Sequence, residues 1–359
     1  MEKILSEFRH KVGEFEVIDW VDDEKIAETR NRLDVDAPVE LHWTWEYGSE
    51  VEELRRLYEK GKAGQWDAQK DVDWSTPVTK DDWLLTPEAS ILAQICKLAG
   101  KDEATQKAAM FDETAYLLSQ LLHGEQAALQ LCGQLTNVCE KMDQKFYAAS
   151  QTIDEARHIE VFAKFLQEKM GTLYPANPTV KVLLDILLQA EGVPKKTLGM
   201  QTLFEGMAVG VMGLMRQEAK NPLLEDMLHR VEGDEARHAA FGVLSMRRVM
   251  ADADEATAHE LEDWAFDILE TLNAAQQTDM LRLLGPKYDI DPDIITQMTL
   301  AMPNFAELNS MIYMHTVVPN LKNLGLLTDR TESKWREVGM MIDSRGEELR
   351  FSDFTLAAD

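Results

Sequence analysis

The pentapeptide Asp154-Glu155-Ala156-Arg157-His158 recurs without change as Asp234-Glu235-Ala236-Arg237-His238, an offset of 80 residues. The same offset carries Glu125 onto Glu205. Each half of the central chain thus reads as a glutamate, an interval of thirty residues, and then Glu-x-x-His. Around these residues glycine and proline are scarce, strand-like alternation is nearly absent and apolar residues recur with a helical period. The pattern predicts four core helices at roughly 104–140, 144–170, 196–219 and 222–250. They are separated at Lys141 to Gln144, Gly171 to Pro178, Gly192 to Pro194 and Asn221-Pro222. In the last pair asparagine suits an N-cap and proline the first helical position.

This spacing brings the repeated residues together. With a turn near residue 140 in the first half and 220 in the second, the chain runs fifteen residues up and fifteen back. At about 1.5 Å per residue it returns to the same height, with Glu125 beside Glu155 and Glu205 beside Glu235. Within Glu-x-x-His, residues i and i+3 share a helical face. Packing the halves about a pseudo-twofold axis therefore gathers Glu125, Glu155, His158, Glu205, Glu235 and His238 in one bundle interior. One such turn would read as a solvated, charged helix face; an identical second copy with two matched glutamates is not explained that way.

Four inward carboxylates repel one another and are penalised by burial, whereas two divalent cations balance them and leave both imidazoles neutral. Oxygen-rich ligation with one imidazole per metal suits two iron ions, or a mixed manganese and iron pair, better than a structural zinc site, which usually takes cysteine. Asp154 and Asp234 each precede a ligand glutamate, where a carboxylate can accept the second ring N–H of a histidine and fix its tautomer. Whether each aspartate serves its own half or the other is open at this level. Arg157 and Arg237 are placed to neutralise them. One turn from the ligands, Ala128, Leu129, Phe162, Ala208, Val209, Met212 and Gly242 are expected to line a metal cavity, with Thr202 and Gln201 the nearest polar groups. His123 and His229 fall off the ligand faces, and Tyr147 lies about 16 Å from His158 along its own helix.

The pattern E…DExRH…E…DExRH, at Glu125, Asp154–His158, Glu205 and Asp234–His238, resembles the ferritin-like di-iron carboxylate superfamily. Within it, the chain is similar to bacterial multicomponent monooxygenase hydroxylases and ribonucleotide reductase small subunits. The likeness covers the central third of the chain. It implies an all-α fold, a ferritin-like four-helix bundle with additional flanking helices, often dimeric. Such proteins activate O2 as co-substrate with electrons from a reductase or ferredoxin, and Glu205 would be the carboxylate that changes binding mode. Radical-generating reductase subunits typically carry tyrosine where this chain has Phe162, and they use a tyrosine near the C-terminus, whereas none follows Tyr313 here. The final Phe351 to Asp359 does resemble the docking tail of some of those subunits. Many hydroxylases place threonine where Val209 stands, and arylamine N-oxygenases of the superfamily add a histidine where Val231 stands.

The resemblance implies an O2-activating non-haem di-iron oxygenase acting on a small apolar or aromatic substrate, by hydroxylation or N-oxygenation. Its alternatives are a ribonucleotide reductase-like radical or docking subunit and a ferroxidase or iron-storage protein. Composition agrees with a chemistry on small molecules. With 64 acidic against 37 basic residues the net charge is −27, which argues against nucleic acid and anionic membrane surfaces. The most apolar stretch, Leu198 to Met215, is short for a membrane span and carries Glu205 in its middle. Cys96, Cys132 and Cys139 form no paired motif, and Met1 to Trp20 lacks the apolar core of an export signal, so a cytoplasmic protein is expected.

The chain reads as a single domain, 1–359. A tryptophan-rich helical extension over 1–102 precedes the di-metal core over 103–250. Further helices over 251–342, at 256–283 and 303–326, and a charged tail over 343–359 follow it. The tryptophans 43, 45, 66, 74 and 83 are expected to cover the bundle.

Overall fold

Four long segments begin where a short polar side chain can take up free backbone N–H groups. Asp102 accepts from Thr105 N, Asn177 from Val180 N, Asn221 from Leu223 N and Leu224 N, and Asp254 from Thr257 N. Pro178 and Pro222 occupy first helical positions, where the missing N–H costs nothing. Gly171 ends another helix at φ +66°, a left-handed conformation that glycine adopts without a Cβ penalty.

The computed structural model describes residues 18–19, 37, 40–290 and 317–337. Its helices are α1 (Glu52–Ala63), α2 (Ile91–Leu98), α3 (Glu103–Val138), α4 (Met142–Lys164, carried on by a π-helical turn Phe165–Met170), α5 (Pro178–Gln189) and α6 (Gly192–Glu218). They continue as α7 (Pro222–Asp252), α8 (Glu255–Leu284), α9 (Val317–Asn323) and α10 (Glu332–Glu337). A two-residue antiparallel pair joins β1 (Ile18–Asp19) to β2 (Thr172–Leu173). Helices α3, α4, α6 and α7 are the four expected from the repeat. Helix α5 was not expected: Asn177-Pro178 reads as a break, but it also starts a helix. Of the segment expected as helix at 303–326, residues 303–316 lie outside the described residues, as do Tyr313 and the tail 343–359.

The bundle core is divided in two. One apolar cluster contains Ala128, Leu131, Leu135, Tyr147, Leu198, Leu203, Phe241 and Met246. The other contains Leu118, Leu122, Phe162, Phe165, Ala208, Met212, Met227 and Val231. Along every one of the four helices the repeated acidic and histidine residues fall between the two clusters, so they form a polar layer at mid-height. In α6 that layer follows directly on a π-helical stretch, Thr197–Phe204, which ends at Glu205. By length and composition α6 passes as a membrane span, yet 83% of its most apolar window is buried inside the protein. Trp66, Trp74 and Trp83 pack against the core, while Trp43 and Trp45 remain 69% and 83% exposed.

Gly242 marks where α7 meets α6. A Cβ there would lie 2.8 Å from the Gln201 carbonyl carbon, a backbone atom that cannot swing aside. Gly133 in α3 faces open space instead. Gly242→Ala is therefore expected to lower stability by about 1–3 kcal/mol through overpacking. Gly133→Ala should raise it by roughly 0.5–1 kcal/mol through reduced chain entropy. Denaturant midpoints of the two variants would check the contrast.

Candidate metal centre

The polar layer takes Glu125 from α3, Glu155 and His158 from α4, Glu205 from α6, and Glu235 and His238 from α7; all six are buried. Their donor atoms fall into two overlapping groups, each with atoms within 4.8 Å of one another. One group is Glu125, Glu155, His158 and Glu235; the other is Glu155, Glu205, Glu235 and His238. Glu155 and Glu235 belong to both. The arrangement suits two ions sharing a pair of carboxylates, with one private glutamate and one histidine each.

Both imidazoles turn Nδ1 toward the carboxylates. His158 Nδ1 lies 2.9 Å from Glu235 Oε1, 3.1 Å from Glu125 Oε2 and 3.3 Å from Glu155 Oε2. His238 Nδ1 lies 2.7 Å from Glu235 Oε2 and 3.2 Å from Glu155 Oε1. The other ring nitrogens point to the aspartates, and the structure decides the open question of pairing. His158 Nε2 meets Asp234 Oδ2 at 3.1 Å, and His238 Nε2 meets Asp154 Oδ2 at 3.3 Å. Each aspartate thus serves the histidine of the opposite half.

Arg157 sits between the aspartates, its Nη2 2.7 Å from Asp154 Oδ1 and 2.8 Å from Asp234 Oδ2. Arg237 also donates to Asp234, at the half-buried edge of the layer. Two residues of the loop after α1 complete the set. Gln65 donates to Asp154 Oδ1 (2.7 Å) and accepts from Arg157 Nη1 (2.6 Å), while Trp66 donates its indole N–H to Asp234 Oδ2 (2.8 Å). The Arg157 guanidinium also lies 4.7 Å from the Trp66 ring centroid. Sequence reading missed Gln65 and the indole bond, because 89 and 168 residues separate these partners from their aspartates. It also missed Gln151, which donates to Glu155 Oε1 at 2.8 Å and stands one turn before it. That spacing was visible.

Burial, reinforced by the charges of Glu235 and other neighbours, pushes the carboxyls of Glu125 and Glu205 well above the usual range. Burial also works against charge on His238, but Glu155 and Glu235 outweigh it and raise the imidazole to about 10. His158 is raised likewise against its burial, chiefly by Glu235 and Asp234. For Asp234, burial is outweighed by His158 and Arg157, and its carboxyl stays below its ordinary value. Protons thus compensate the crowded carboxylates. Glu235 Oε1 and Glu155 Oε2, both buried, face His158 Nδ1 at 2.9 and 3.3 Å but out of line for a hydrogen bond, an uncommon condition for carboxylate oxygens. Two divalent cations fit this donor set: they would replace the protons, engage these poorly aligned oxygens and accept both Nδ1 lone pairs.

The residues expected to line a cavity are placed unequally. Phe162, Ala128, Thr202, Ala208 and Met212 are buried, and Leu129 and Val209 are half-buried. Gly242 is spent on the contact with the Gln201 backbone. Thr202 Oγ1 and Gln201 Oε1 lack partners. Tyr147 is far from His158 along α4, yet its ring lies 6.5 Å from that of His238, edge-on, because α7 packs across the same face. His123 bonds the Tyr174 carbonyl oxygen and His229 is exposed.

Arg157 is the buried cation shared by two aspartates. Arg157→Met should destabilise the protein by about 3–5 kcal/mol, since it leaves both carboxylates buried without it. The more exposed Arg237→Met should cost about 1 kcal/mol or less. Urea denaturation of the metal-free protein measures the difference.

No curated protein matches the sequence. Among solved structures, an R2-like ligand-binding oxidase with an aerobically reconstituted metal cofactor after photoconversion is 17% identical; the match covers 74% of this chain and 98% of that one, with a TM-score of 0.44. A point mutant of an R2-like ligand-binding oxidase with an anaerobically reconstituted Mn/Fe cofactor is 18% identical, with 74% and 93% covered and a TM-score of 0.43. The family model described as p-aminobenzoate N-oxygenase AurF matches residues 48–278, well over half of the sequence. The chain belongs to the p-aminobenzoate N-oxygenase AurF family.

Proposed function

We propose that this protein is an O2-activating non-haem di-iron oxygenase that inserts oxygen into a small aromatic substrate, with N-oxygenation of an arylamine as the preferred reaction. Glu125, Glu155, His158, Glu205, Glu235 and His238 hold the two iron ions in this reading. The observation that carries it is the pair of overlapping donor groups sharing Glu155 and Glu235 inside a buried layer. The p-aminobenzoate N-oxygenase activity that names the family supplies the arylamine. It favours an oxygenase over a radical-generating or docking subunit and over iron storage.

Bound in this layer, the ions supply the redox chemistry by which dioxygen accepts electrons from an external donor and oxidises an organic substrate. The chain's own residues prepare that chemistry. Asp234 and Asp154 accept the Nε2 protons of His158 and His238 and so would leave each Nδ1 lone pair available to an ion held between the carboxylates. Arg157, held by Gln65, donates to both aspartates and fixes their orientation. Phe162, Ala208 and Met212 keep water from one side of the layer. The electron donor is a reductase or ferredoxin, and the protein works as a cytoplasmic homodimer.

Wild-type protein reconstituted with ferrous iron should hold two irons per chain, and Glu205→Ala one or none, by elemental analysis. Full retention of two irons in that variant would remove Glu205 from the ligand set. With a chemical reductant and isotopically labelled dioxygen, the loaded wild type should place the label in an arylamine product, detected by mass spectrometry. Chelation of the iron should abolish that incorporation.

A further inference from the structure

The 80-residue repeat is kept at all six residues of the donor groups and broken beside them. On the side of Glu205 and His238 lie four buried polar side chains: Cys132, Tyr147, Gln151 and Gln201. Gln151 Nε2 reaches both Glu155 Oε1 at 2.8 Å and Glu205 Oε1 at 3.3 Å. Gln201 Nε2 lies 3.4 Å from Cys132 Sγ, and the Tyr147 ring stands edge-on to His238. The carboxamide oxygens of Gln151 and Gln201 and the Tyr147 hydroxyl have no partner. The repeat offset replaces these four by Met212, Met227, Val231 and Leu121, all apolar. The pseudo-symmetric layer is thus polar at one face and dry at the other.

We infer that the two metal positions bind with unequal affinity, and that Gln151 is the positioning residue that makes the Glu205–His238 position the tighter one. The inference rests on the six-ligand reading above. Gln151 ties one oxygen of Glu155 and one of Glu205, from opposite halves of the bundle, to a single carboxamide. Those carboxylates are oriented before an ion arrives, so less freedom is lost on binding. At the other position the equivalent residue, Val231, has no donor to offer. Glu125 there is held, among the described residues, by His158 Nδ1 at 3.1 Å, the very atom that must turn its lone pair to the ion. Its orientation comes only with the metal. The amide assignment of Gln151 follows from its nearer neighbour, since the carboxylate oxygen of Glu155 at 2.8 Å accepts and the NH2 end must face it.

Titration of metal-free, full-length protein with Mn2+, followed by calorimetry and by the loss of the free-ion spin resonance signal, tests this. The wild type should take up two ions with dissociation constants at least ~10-fold apart, the range in which supporting hydrogen bonds act on metal affinity. Gln151→Leu, similar in size but without a donor, should weaken the tighter event ~10–100-fold and leave the weaker one in place. Val231→Gln should tighten the weaker event. Two equal affinities in the wild type, or two unchanged ones in Gln151→Leu, would overturn the inference while leaving the six-ligand site standing. Uptake of fewer than two ions by the wild type would instead remove that site, and the inference with it. Because the wild-type isotherm decides on its own, a variant that fails to fold does not shelter the idea.

Discussion

The exchange of aspartates between the two halves is the interaction on which the rest depends. His158 leans on Asp234 and His238 on Asp154, and Arg157 bonds both aspartates at once. Four glutamates and two aspartates are buried in one layer, and each buried carboxylate costs several kcal/mol unless it is paired and hydrogen-bonded. The crossed bonds meet that requirement only when α4 and α7 are docked in register. A slip by one turn would strand an aspartate and misdirect an imidazole together. The metal layer and the packing of the bundle are therefore one structural commitment.

The surroundings of the layer serve the same constraint. Apolar clusters above and below it keep the local dielectric low, which strengthens every bond inside and raises the penalty for any left unmade. Gly242 lets α7 approach the backbone of α6 beside the π-helical stretch Thr197–Phe204, at whose end Glu205 stands. Such local widening of a helix is a frequent companion of functional side chains. The loop after α1 reaches back with Gln65 and Trp66 to close the network on its outer side. Gln65 and Trp66 are thus part of the buried polar network and more than a cover for it.

Membership of the AurF family gives this layer its chemical context, while the chain's own residues give it a direction. Val231, Met212 and Met227 make one face dry, and their repeat partners Gln151, Cys132 and Tyr147 make the other polar. Phe162, buried in the same apolar cluster as Met212, Met227 and Val231, adds to the apolar character of that side.

How much was legible in advance follows from the range of each interaction. The four core helices, their caps at Asn221 and the neighbouring Pro222, and the convergence of six donor residues could be read because helical period and a thirty-residue return path are properties of contiguous chain. The sequence leaves helix α5 unassigned because Asn177-Pro178 carries the same signature whether it ends one segment or begins the next. The direction of the Asp154 and Asp234 bonds, the nearness of Tyr147 to His238 and the places of Gln65 and Trp66 were decided by tertiary structure alone. Each depends on which helix faces which across the bundle, and contacts between residues far apart in the chain leave no periodic trace in it. The sequence by itself determined that two Glu-x-x-His sites would meet; only the folded bundle decided that each would be held in place by the other.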